Sequence, residues 1–202
     1  MATRKQSTRR SKKESPDATE LLALELQEIH SAESQLARVL PRLIKAANSE
    51  ELGKMLEQRL TQGERIIAEV EASLEELDMT PGRKKNVAAE GLVNDAREHV
   101  QEIERGPALD TVLIGALQKT EHYCIAAWGT TRALAEAVGH KSAVKSMERA
   151  LKEGKTVDEQ FTQLAEQEVT PALLAQASDD DGRGEPPPGS RSGSGASERR
   201  AN

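Results

Sequence analysis

Three acidic residues stand where the pattern asks for apolar ones: Glu33, Glu121 and Asp158. Each interrupts a run of apolar residues spaced three and four apart, so each shares one helix face with its apolar neighbours. Glu33 follows Leu22, Leu26 and Ile29 and precedes Leu36, Leu40 and Leu43. Glu121 lies between Leu117 and Cys124, and Asp158 between Gly154 and Phe161. A carboxylate taken out of water without a partner is costly. Two chemistries answer such charges. Hard or borderline divalent ions gather several oxygen ligands at one point. The plainer answer is a basic side chain such as Arg59 or Lys119. His30 and His122 sit just off the stripes and read as flanking residues.

Four long helices must carry these residues. The first opens near Asp17 and runs to about Ala47, with Pro41 expected to kink it. Asn48-Ser49 makes a turn, with Ser49 as N-cap of a second helix to about Leu77. Met79-Thr80-Pro81-Gly82 then opens a long crossover holding a shorter helix near Val87–Ile103. The third helix spans about Ala108–Val138 and stops at Gly139. The fourth runs from about Ser142 to Glu168, ends at Thr170-Pro171, and leaves a short ALLAQA segment to pack back. Two antiparallel hairpins joined by one long crossover define an all-α, ferritin-like four-helix bundle.

Hairpin geometry then predicts which odd residues meet. Residues equidistant from a turn lie at one level, which places Glu33 beside Gly63 and Glu121 beside Asp158. Cys124 falls level with Gly154 and Lys155. The expected centre is therefore a mid-bundle cluster of Glu33, Glu121 and Asp158, with Gly63, Cys124 and Gly154 close by. The Glu-x-x-His pairs that complete di-metal carboxylate sites in such bundles are missing from all four helices.

Composition agrees with a helical bundle. The 202 residues are 31% charged and 1% aromatic, so the core is built from Leu, Ile, Val and Ala. A single cysteine, Cys124, forbids an internal disulfide and suits a reducing compartment. With no apolar run long enough to span a bilayer and no secretory signal at the start, a cytoplasmic protein is expected. The net charge is −6, but residues 1–15 carry about +5, leaving about −10 for the residues before the last twenty-five. Residues 1–16 read as a disordered basic tail, 17–176 as the bundle, and 177–202 as a disordered low-complexity tail.

The segments LLALELQEIHSAESQLARVLPRLIKAA, QKTEHYCIAAWGTTRALAEAVG and ALKEGKTVDEQFTQLAE resemble the bacterial YciE/YciF ferritin-like stress proteins. The most specific piece is Glu121–Thr130, supported by Ala32–Leu36, and the likeness covers about residues 17–168. The resemblance implies a ferritin-like bundle, often a homodimer, tied to bacterial stress responses. It also implies a carboxylate cluster at Glu33, Gln62, Glu121, Cys124, Gly154 and Asp158. Three of these remain acidic here, whereas the family usually carries acids at 62, 124 and 154 as well. Gly63 and Ile66 also replace the family's Thr and Gln.

The function expected is a stress-associated bundle with a partial, degenerate carboxylate site. Its metal ligands would be Glu33, Glu121 and Asp158, and its metal Fe or Mn, held weakly or not at all. No catalytic residue stands out, and the balance is against an enzyme. The alternative is a structural or interaction protein that touches nucleic acid through residues 1–15. Against that stand the acidic body and a tail without aromatic residues to stack on bases.

Overall fold

The structure is a computed structural model and describes residues 15–182. Six helices follow in order: α1 (Ala18–Ala46), α2 (Glu50–Glu75), α3 (Val87–Glu102), α4 (Pro107–Val138), α5 (Lys141–Leu164) and α6 (Thr170–Gly182). A π turn, Ala165–Val169, joins the last two. The pairs α1/α2 and α4/α5 are the two hairpins. The crossover lays α3 against α1 and α4, and α2 packs on α5 at the opposite seam. The expected bundle and its connectivity are both present.

Local chemistry sets the helix ends. Asp17 accepts from the Glu20 backbone while Glu20 reaches back to the Asp17 N–H, a complete capping box. Ser49 and Asn86 cap α2 and α3. Gly139 closes α4 at φ 76°, a left-handed turn that glycine adopts without a Cβ penalty. Pro41 does not break α1. It stands on the exposed face near the helix end, where one lost backbone bond is tolerated.

The chain departs from expectation beyond α5. Thr170-Pro171 does not end the helical run; the Thr170 N–H donates to Ala165, five residues back, and α6 continues to Gly182. The widened turn accommodates the proline, whose ring would clash with a regular α-helical carbonyl. Nor does ALLAQA fold back into the core: Leu174 is 64% exposed. The basic segment of residues 1–15, weighed above as an alternative contact for nucleic acid, lies almost wholly outside the described residues, as does most of the C-terminal low-complexity segment.

The core is divided in two. One cluster, around Leu40, Leu43, Leu56, Leu113 and Phe161, fills the end near the α1–α2 turn. The other, around Leu26, Ile66, Val70, Met147 and Trp128, fills the end near the α4–α5 turn. A polar layer separates them, and there the odd residues of the stripes are found.

Candidate functional site

Glu33 on α1 and Glu121 on α4 do meet at mid-bundle, but through a third residue. Arg59 on α2 donates from Nε to Glu121 Oε2 at 2.8 Å. Its Nη1 and Nη2 reach Glu33 Oε2 and Oε1 at 3.0 and 3.1 Å, a two-pronged pair. Arg59 and Glu33 are each 1% exposed and Glu121 is 2% exposed. Trp128 lies alongside, its ring centre 5.8 Å from the guanidinium carbon. Cys124 Sγ is 3.9 Å from Nη2.

Asp158 does not join this centre. Its carboxylate is turned to the α4 edge, where Gln118 Nε2 and His122 Nε2 each lie 3.3 Å from Oδ1. A side chain of two carbons, at the level of Glu121 but on the rim of the seam, cannot reach the Arg59 guanidinium. The expected trio is thus a buried pair plus one half-exposed acid. His122 and His30 flank the site as anticipated; His30 pairs with Glu71 at 2.8 Å. Lys119 turns outward to Asp95.

Two glycines make the arrangement possible. A Cβ on Gly63 would stand 3.1 Å from both Arg59 Nη1 and Glu33 Oε2. The arginine stem therefore runs along its own helix and lays its head over Gly63. A Cβ on Gly154 would stand 2.5 Å from Trp128 Cζ3 and 2.8 Å from Glu121 Oε1. The indole thus fills the space beside α5 that the missing side chain leaves. Gly154→Ala should destabilise the bundle by about 1–3 kcal/mol through overpacking against a rigid ring. That is despite the gain of about 1 kcal/mol that alanine brings to a helix interior. Gly63→Ala, facing flexible side-chain ends, should leave stability near its native value. Urea unfolding of both variants checks this; equal gains would mean that neither position is sterically constrained.

The electrostatics follow from one cation facing two carboxylates. Burial pulls Arg59 down, but Glu121 and Glu33 outweigh it and hold the guanidinium well above its ordinary value. Burial pushes the Glu121 carboxyl up, against the pull of Arg59. Glu121 Oε1 accepts no hydrogen bond among the described residues. Glu33 holds two of the guanidinium bonds and Glu121 only one, so the surplus negative charge falls on Glu121. Burial also pushes the Cys124 thiol well up, with Glu33 adding to it. A thiol so held is a small core residue and not a nucleophile.

The residues present do not fit a divalent ion. Both inward carboxylates are spent on Arg59, whose guanidinium stands between them, and Gly154 and Cys124 place no oxygen there. Among the described residues, no three His, Cys, Asp or Glu side chains gather in a way that could hold a metal ion. Gln62 is buried beside the layer, its Nε2 without a partner among the described residues. Sequence reasoning named Arg59 as a possible counter-charge, but missed Trp128 over Gly154. The signal for the latter was available: a lone tryptophan and a mid-helix glycine on facing stripes of one hairpin.

Comparison with known proteins agrees with this architecture. Residues 17–174 match the family described as a domain of unknown function, DUF892. The chain is 40% identical over 144 residues to protein YciF of Escherichia coli K12, covering 69% of this chain and 85% of that one. The crystal structure of the E. coli stress protein YciF superposes with a TM-score of 0.71 at 34% identity, covering 75% of this chain and 96% of that one. YcfI from Rhodopseudomonas palustris gives 0.68 at 29% identity, covering 73% and 94%. No described helix is long and apolar enough to cross a membrane. With the family match running over residues 17–174 and the bundle matched over most of its length in structure, the chain belongs to the DUF892 family.

Proposed function

We propose that this protein is a non-enzymatic, structural member of the stress-protein family, whose mid-bundle centre is a closed ion-pair network in place of a metal site. One observation carries this reading: Arg59, 1% exposed, occupies the point where Glu33 and Glu121 converge. A guanidinium is a permanent cation. It supplies the charge a metal would supply, but it offers no open coordination position and no redox change. Within the buried centre, the protonated Cys124 and the walled-in carboxylates offer no general base or nucleophile with access to a substrate.

Thermal melting against pH, with and without Mn²⁺ or Fe²⁺, tests this in native protein and Glu121→Gln. The sign follows from Glu121. Its carboxyl is raised in the folded state from an ordinary value of 4.5. Its stabilising contribution is therefore complete below about pH 4.5 and is lost as pH rises through the raised value. The native protein should lose stability across that window at about 1.4 kcal/mol per unit of separation. Glu121→Gln should give a flatter profile. Neither protein should respond to metal. A metal-induced rise in native melting temperature that vanishes in Glu121→Gln would overturn the reading.

A further inference from the structure

Charge is gathered unevenly on the surface. The chain carries a net −6, yet the face where α1, α3 and the crossover meet is rich in arginine and lysine. A groove of about 320 Å³ there is lined by Arg38 and Arg42 of α1, Arg97 of α3, and Lys85 of the crossover. An adjoining groove of about 660 Å³ shares Arg38 and Lys85 and adds Arg83 and Lys84. The nearby acids are already held: Glu90 by Lys85 and Glu28 by Lys84. Arg38, Arg42 and Arg97 are exposed and form no ion pair among the described residues.

Other surface arginines are answered by acids on their own or a facing helix. Arg65 pairs with Glu69 and Glu153, and Arg132 with Glu136 and Glu148. Three unpaired arginines around one concavity repel one another, a cost that an anion would remove. Arg38 and Arg42 lie one turn apart on α1 and line the same groove as Arg97 of α3, so guanidinium groups from two helices border one concavity. Arg38 Nε donates to the Ser34 carbonyl at 2.8 Å, which anchors the head and leaves both Nη groups to donate. Planar guanidinium forks match phosphate oxygens in pairs.

The geometry points to a binding site in the α1/α3 groove for a compact anion carrying two or more phosphate groups, held by Arg38, Arg42 and Arg97. The groove is of small-ligand size. No aromatic residue lines it, so nothing there stacks on a base, and the recognition is of phosphate. The site is separate from the buried centre and does not rest on the reading of Arg59.

Titration calorimetry of the full chain with inorganic tripolyphosphate tests this, with sulfate and a twelve-nucleotide DNA strand as comparisons. Tripolyphosphate should bind, and sulfate should bind about tenfold more weakly or worse, because it offers one tetrahedral group to three forks. The double variant Arg42→Glu and Arg97→Glu should abolish binding, while Lys152→Glu on α5 leaves it unchanged. All three positions are exposed; circular dichroism confirms folding, and the matching glutamine variants should weaken binding at least about tenfold if charge reversal perturbs it. Absence of tripolyphosphate binding by the native chain would overturn the proposal. So would binding that survives the double reversal, which would place the anion on another segment. DNA binding through the same arginines that tripolyphosphate fails to displace would make nucleic acid the ligand and overturn it as well.

Discussion

Arg59→Met should destabilise the bundle by about 3–5 kcal/mol, the usual cost of removing one partner from a buried ion pair. Methionine matches much of the arginine stem in length and flexibility, so little of the loss would come from a cavity. What is lost is the charge that answers Glu33 and Glu121, both of which stay buried. Arg59→Lys should recover only part of the stability. An ammonium keeps the charge but cannot make the two-pronged contact with Glu33 and the separate bond to Glu121. The loss in Arg59→Met should shrink on lowering pH, because protonating the two carboxylates removes the charge left unanswered. Denaturant unfolding at two pH values measures this. A pH-independent loss of about 1 kcal/mol would show that the centre is solvated and that the ion pairs contribute little.

The same residue shows how far the sequence could be read. Apolar spacing located four helices and their turns, because a face of leucines recurring every three or four residues has few other meanings. Level counting from the turns placed Glu33 beside Gly63, and the Cβ position at Gly63 bears that out at 3.1 Å. Counting levels follows backbone positions, however, and a long side chain ends a turn away from its own Cα. Arg59 sits one turn nearer the α1–α2 loop than Gly63, and its head arrives in the layer by running over that glycine. Asp158 failed in the opposite sense: it has the right level but a short side chain on the rim. The π turn at Ala165–Val169 was illegible for a different reason. A Thr-Pro pair ordinarily ends a helix, and nothing local signals that one wider turn will let it continue. Asn86 was likewise hidden. It reads as a loop residue, yet it caps α3, and its side chain donates to the Glu28 carbonyl and lies against the Tyr123 hydroxyl.

Asp110→Ala should cost about 3 kcal/mol, and the reason lies in how the two hairpins are held at one level. Asp110 stands in the first turn of α4 and is 1% exposed. Its Oδ1 accepts from the Asn48 N–H and its Oδ2 from the Ser49 N–H, each at 2.8 Å. Those donors belong to the α1–α2 turn, where helix-terminal N–H groups need partners from outside the helix. A carboxylate accepting two backbone bonds is charge-assisted twice, at about 1.5–3 kcal/mol for each bond. Part of this is offset because Asn48 and Ser49 are partly exposed, so water can replace the lost acceptor. Arg105 adds a second tie, donating from Nε and Nη2 to the Ala47 carbonyl at 3.1 and 3.0 Å. Together these bonds pin the end of one hairpin to the start of the other. They therefore fix the height at which Glu33 and Arg59 meet Glu121. Asp110→Asn, which keeps one acceptor oxygen, should lose about half as much as Asp110→Ala. Arg59→Met combined with Asp110→Ala should cost less than the separate losses added together, because a loosened hairpin no longer holds the bare carboxylates in one layer. A double-mutant cycle in urea reads that coupling directly. Strict additivity would mean that the clamp stabilises the fold without setting the register of the buried centre.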